Sequence, residues 1–169
     1  MEVTTNRKGA IAESQVAAAA IKLGIEVYTP ILEGGRFDML FAFPDGELMR
    51  VQCKWAPRQG DTVFVRGDSS VRAAGGGFRR RVYSLSEIDA VAAYCPQLHR
   101  CYLVPAAMIC GRTQVSLRLT AARNNQLVGV HWAEQYELGA IAQLGEHLHG
   151  MQGVAGSSPA SSTLFREAA

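Results

Sequence analysis

Between Asn6 and Gly24 the chain reads NRKGAIAESQVAAAAIKLG, rich in alanine, with Ile11, Val16, Ala19, Ala20 and Leu23 spaced to form one helical stripe. The pattern predicts a helix from about Arg7 to Leu23, capped by Asn6 and stopped by Gly24. IEVYTP alternates as a strand and ends at a proline, which cannot continue a ladder. Two apolar runs, FDMLFAF and ELMRVQCKW, flank PDG, a sequence suited to a three-residue hairpin loop: a type I turn followed by Gly46, left-handed, at a bulge. That loop length fixes the register. With Phe43 opposite Glu47, Asp38 falls opposite Gln52, and Lys54 shares their face one step diagonally, while Met49, Val51, Cys53 and Trp55 turn to the other side. Further on, SEIDAVAAY reads as a helix and RCYLVP as a strand.

At 169 residues and 48% hydrophobic, the chain has one domain's worth of core, and its formal charge of +2 is close to balanced. The N-terminal stretch MEVTTNRKGAIAESQ has no long apolar segment, and no run approaches the ~20 apolar residues of a membrane span, so the expectation is a cytoplasmic protein without a membrane partner. Cys53, Cys95, Cys101 and Cys110 form no CxxC pair and show no zinc-ligand spacing, which points to free thiols in a reducing compartment. Charge by segment changes the picture more than the total does. Residues 50–81 hold eight bases against two acids. Within them VRAAGGGFRRR combines a glycine run, which lets the backbone come close to a partner, with forked guanidinium donors at Arg72, Arg79, Arg80 and Arg81. The same composition also describes a solvated surface loop.

The chemistry is concentrated in the hairpin. An acid, an amide and an amine at the edge of an apolar core need compensation. An Asp38–Lys54 ion pair with Gln52 as neighbour would supply it. So would a divalent-metal site, in which Asp38, the Gln52 side-chain oxygen and the Cys53 carbonyl are hard oxygen ligands and Lys54 faces the attacking water. His99, His131, His147 and His149 are scattered, and neither a Ser-His-Asp nor a Cys-His arrangement is readable.

The order of blocks, KGAIAESQVAAAAIKLGIEVYTPILEGGRFDMLF, GELMRVQCKWA, SEIDAVAAYCPQLHRCYLVPAAMI, SLRL, NNQ and WAEQYEL, resembles the PD-(D/E)XK nuclease superfamily over residues 8 to 138. The resemblance is to the branch that includes group I intron homing endonucleases and lies near Holliday junction resolvases. Phe37 stands where proline often precedes the acid, and Gln52 where Glu or Asp is usual. The second departure removes a negative charge from the site; the intron-endonuclease branch is one in which such a glutamine occurs. The resemblance implies an α/β, restriction-endonuclease-like core with a mixed central β-sheet flanked by helices. It implies Mg²⁺-dependent hydrolysis of phosphodiester bonds in double-stranded DNA, with Asp38, Gln52 and Cys53 toward the metal, Lys54 toward the water and the developing charge, and Glu13 completing the acidic cluster. The active form it implies is a symmetric homo-oligomer, a dimer or a tetramer. DNA contacts then fall to Arg58, Arg66, Arg72, Arg79, Arg80 and Arg81. A structure-selective junction resolvase and a cleavage-dead DNA-binding module are the alternatives, Gln52 being the first symptom of the latter.

After WAEQYEL the composition shifts to GAIAQLGEHLHGMQGVAGSSPASSTLFREAA, almost uncharged and rich in small residues. The domain is therefore expected to span 1–138, and 139–169 to be a tail, a short helix followed by disorder, that resembles a transfer-RNA gene read in frame.

Overall fold

The computed structural model describes residues 3–32, 34–72, 75–121 and 129–140; the expected tail helix and disordered end, beyond residue 140, lie outside them. Helix α1 runs Thr5–Lys22. It starts two residues before the expected position, with Thr4 rather than Asn6 at the N-cap, because the alanine-rich run tolerates Thr5 and Asn6 in its first turn. Its end follows the glycine signal. Gly24 has φ 76°, its N–H reaches Ile21 O and the N–H of Ile25 reaches Ala20 O, the paired bonds of a left-handed helix stop. The buried stripe is Ala12, Val16 and Ala20; Ile11, expected within it, is exposed.

Strands β1 (Glu26–Tyr28), β2 (Met39–Ala42) and β3 (Leu48–Trp55) form an antiparallel meander. Between β2 and β3 the PDG loop closes as its sequence predicts: Gly46 has φ 89°, Gly46 N–H donates to Phe43 O, and Phe43 N–H to Glu47 O. The resulting register, Met39 opposite Val51 and Phe41 opposite Met49, is the one the loop length dictates. Then come β4 (Arg58–Gln59), β5 (Thr62–Arg66), β6 (Asp68–Arg72) and β7 (Phe78–Val82). The arginine-rich stretch is thus not a loop: β6 and β7 pair as a two-stranded antiparallel ribbon.

Strand β8 (Ala90–Cys95) replaces the helix expected over SEIDAVAAY. Alanine favours helices locally, but all six residues of β8 are buried, and a small side chain on both faces suits the middle of a sheet covered on each side. Strand β8 lies parallel to β3 and antiparallel to β9 (Arg100–Pro105), giving a mixed sheet in the order β1-β2-β3-β8-β9. After β9 come the short helix α2 (Ala106–Ile109), β10 (Gln114–Arg118), β11 (His131–Trp132) and a 3₁₀ turn over Ala133–Tyr136. A second sheet has the order β11-β10-β5-β4.

The central sheet therefore has two distinct faces. Ala12, Val16 and Ala20 of α1 cover Met39, Phe41, Met49, Val51, Cys53, Ala90 and Ala92 on one. On the other, Val91, Ala93, Cys95 and Val104 meet Val63, Val65, Val115 and Leu117 of the second sheet, with Ala106 and Ile109 of α2. Two-sided burial of a mixed sheet with helices against it is the restriction-endonuclease-like α/β arrangement. Among the described residues, no helix is long and apolar enough to cross a membrane.

Candidate active site

Alternation along β3 sorts its side chains. Met49, Val51 and Cys53 pack beneath α1, while Gln52 and Lys54 leave from the opposite face. Asp38 lies one residue before β2, and its backbone N–H continues the hairpin ladder to Val51 O. One oxygen of its carboxylate, Oδ2, accepts a hydrogen bond from the Cys53 backbone N–H (2.8 Å) and a short one from the Gln52 side-chain amide. The same amide nitrogen lies 3.4 Å from the Cys53 carbonyl oxygen. Gln52 is one of two buried polar or charged side chains among the described residues.

Burial raises the Asp38 pKa above the ordinary carboxylate value, and the Cys53 N–H, the Lys54 charge and the Gln52 amide oppose that rise. The Cys53 thiol is pushed far up, by burial first and then by the negative charges of Asp38 and Glu13, which makes it an inert core group and leaves its carbonyl as the available ligand. Glu13, exposed on α1, lines a cleft of about 480 Å³ with Asp38, Phe37 and Gly35. The five hairpin and helix positions singled out from sequence are thus brought to one place: Glu13 and Asp38 in one cleft, Asp38 bonded to Gln52 and Cys53, and Lys54 two residues beyond Gln52 on β3.

The donor set fits a hard divalent cation. A carboxylate, a backbone carbonyl and a primary amide converge, and the amide nitrogen donates to both oxygens, filling the place between them that a cation would take. The two ends of a primary amide exchange by rotation about its terminal bond, so Gln52 can present oxygen in the same place. Among the described residues no three His, Cys, Asp or Glu side chains form a ligand cluster, so a cation here would have one carboxylate, Asp38, as ligand, with Glu13 across the cleft. Proteins commonly bind Mg²⁺ through one or two carboxylates and retained waters.

Lys54 does not pair with Asp38. Its amine donates instead to Tyr83 Oη at 2.8 Å and lies 5.0 Å from the Tyr83 ring centroid, so the ion pair that would have satisfied the hairpin is replaced by a contact across 29 residues. Arg36 stacks on the same ring at 4.4 Å and binds Glu87 (2.9 Å), Ser69 Oγ (2.8 Å) and Val82 O (3.0 Å). Tyr83, Arg36 and Glu87 carry no local signal that links them to positions 38 and 54.

The arginines divide into tethered and open ones. Arg66 clasps the buried Asp68 through both nitrogens of its fork, and Arg80 lies 3.7 Å from that carboxylate. Arg81 forms a short contact with Glu87, and Arg58 binds Gly60 O and sits 3.7 Å from Asp61. Arg79 has no ion pair among the described residues. Arg72 lies opposite Phe78 in the backbone register of the ribbon. All five residues of β7 are exposed.

A helix over a mixed sheet, with an acid at a strand end and Gln-x-Lys on the next strand, defines a nuclease core, and residues 3–139 match the model of the PD-(D/E)XK endonuclease family; the chain belongs to that family. Nucleases of this family generally use divalent metal ions. Among solved structures, the chain resembles a bacterial homing endonuclease, I-Ssp6803I, at 21% identity and a TM-score of 0.65, over 86% of this chain and 98% of that one. No curated protein sequence gives a significant match.

Proposed function

We propose that this chain is a Mg²⁺-dependent endonuclease that hydrolyses phosphodiester bonds of double-stranded DNA, as a homing or mobile-element enzyme. The carrying observation is the convergence of the Asp38 carboxylate, the Gln52 amide and the Cys53 carbonyl at one point beside a cleft shared with Glu13. When bound there, Mg²⁺ polarises the phosphoryl oxygen and makes water a better nucleophile at neutral pH. Asp38, Gln52 and Cys53 hold the ion, and Glu13 adds negative charge to the same cleft. The Lys54 ammonium orients water and steadies the charge that grows at phosphorus. No protein nucleophile takes part, and the expected product end is a 5′-phosphate.

The basic ribbon supports the choice of substrate. A two-stranded β-ribbon has the dimensions to enter a major groove, and forked guanidinium groups suit phosphate and base edges alike. Arg79, Arg80 and Arg81 lie on exposed β7, and Arg72 is in the partner strand, so they are assigned to DNA together with Arg58 and Arg66. Cutting both strands of a duplex calls for a symmetric homo-oligomer, a dimer or a tetramer. The homing assignment draws its support from the described function of the structural neighbour.

Supercoiled plasmid, linear duplex and four-way junctions, each incubated with Mg²⁺ or with EDTA, test the reading. Nicked or linear plasmid in Mg²⁺ alone is expected. Cleavage confined to junctions would make the chain a resolvase. Tight binding without cleavage would make it a DNA-binding module, the outcome favoured by Gln52 in place of an acid.

A further inference from the structure

The amine that the nuclease reading puts to work is anchored by a residue outside the hairpin. Tyr83 is 3% exposed, and its place is fixed from several directions. Its backbone N–H donates to Gly67 O and its carbonyl accepts from Gly111 N–H, both at 3.3 Å. Its ring is flanked by two cations, the Arg36 guanidinium at 4.4 Å and the Lys54 amine at 5.0 Å. Arg36 is itself immobilised by Glu87, Ser69 and the Val82 carbonyl. A buried phenol needs a partner for its hydroxyl, and here that partner is Lys54.

We propose that Tyr83 is a positioning residue for Lys54: its hydroxyl holds the amine at a fixed place beside the Asp38–Gln52 site before the phosphate arrives. This rests on the nuclease reading. A lysine has four rotatable carbons and would otherwise sample many rotamers, most of them away from a reacting phosphate. A rigid acceptor at 2.8 Å selects one set in advance. Small misplacements of a reacting group cost large factors in rate, so a phenol that touches neither the metal ligands nor the substrate can still govern turnover. Tyr83 also joins the catalytic amine to the ribbon. Arg36 reaches Ser69 on β6 and the backbone of Val82 on β7, so one ring spans the hairpin that carries the chemistry and the strands assigned to DNA.

Tyr83→Phe isolates the hydroxyl, because it keeps the ring and both cation contacts. The expected result is a single-turnover cleavage rate at saturating enzyme reduced ~10- to 100-fold, with Kd for DNA and Tm close to wild type. A second measurement reads the contact without any cleavage: acylation of the free protein by an amine reagent, followed by peptide mass spectrometry. Lys54 should react faster in Tyr83→Phe, with Lys8 and Lys22 unchanged. Wild-type turnover by Tyr83→Phe, in a protein whose Lys54→Ala variant is inactive, would overturn the positioning role and leave the nuclease reading intact. A rate and a Tm that both fall while DNA binding weakens would assign Tyr83 to structure alone. Wild-type protein that cleaves nothing would overturn the nuclease reading, and the positioning role with it.

Discussion

Glu87 is the junction at which Arg36 from the chain before β2 and Arg81 from the ribbon meet, and replacing it with glutamine tests whether that junction stabilises the fold. The Arg36 guanidinium, as the main cause, with the Ser84 N–H and hydroxyl, lowers the Glu87 pKa from 4.5 to about 2 against the opposing effect of burial. At about 1.4 kcal/mol per pKa unit, the shift corresponds to roughly 3 kcal/mol as an upper bound. The side chains of Glu87, Arg36 and Arg81 are 16%, 21% and 56% exposed, and solvent screening lowers the contribution to about 1–2 kcal/mol. For a chain of this length that is a Tm lower by about 3–6 °C in Glu87→Gln at pH 7. The sign of the pH dependence follows from the lowered pKa. The contribution is complete above the unfolded value of 4.5 and disappears as pH falls through about 2. Glutamine has no proton to gain, so the gap between the two proteins should narrow to roughly 40% of its neutral value by pH 3. Thermal melts of both proteins in matched buffers from pH 7 to pH 3 measure it. A gap that stays constant across that range would refute the electrostatic account and leave packing as the whole effect.

Lys54→Ala and Asp38→Ala should each abolish cleavage while DNA affinity by mobility shift stays near wild type, and wild-type turnover by Lys54→Ala would remove it from the site. Replacing Arg79, Arg80 and Arg81 with alanine should make the slope of log affinity against log salt shallower by about one unit for each phosphate that is no longer neutralised; an unchanged slope would return these arginines to solvent. Gly67→Ala should destabilise by about 1–3 kcal/mol, seen as a lower denaturant midpoint, because its new Cβ would overlap Arg112 O and sit 2.9 Å from Ile109 O, backbone atoms that cannot swing aside.

What the sequence disclosed was what short-range rules control. A three-residue loop with glycine at its end set the pairing of β2 and β3, and that pairing alone brought Asp38 against Gln52. The glycine stop of α1 was equally local. Strand β8 was not legible as a strand, since alanine's helical preference is a few tenths of a kcal/mol per residue and burial on both faces outweighs it. Lys54 was placed on the correct face and, of its two readings, the ion pair with Asp38 is not formed; its contact with Tyr83 was not legible, because nothing near Tyr83 in the chain announces that it returns to β3. The arginines were found by composition, yet composition could not show that Asp68 and Glu87 tie several of them down.

The ribbon of β6 and β7 joins neither of the larger sheets, and every residue of β7 faces solvent. Exposed substitutions of this kind typically change stability by less than ~0.5 kcal/mol. Positions of β7 that pair with no acid among the described residues, such as Phe78 and Arg79, can therefore change one at a time, while the alanine-lined strand at the centre of the molecule stays as it is. One small chain thus separates the part that must not vary from the part that is free to.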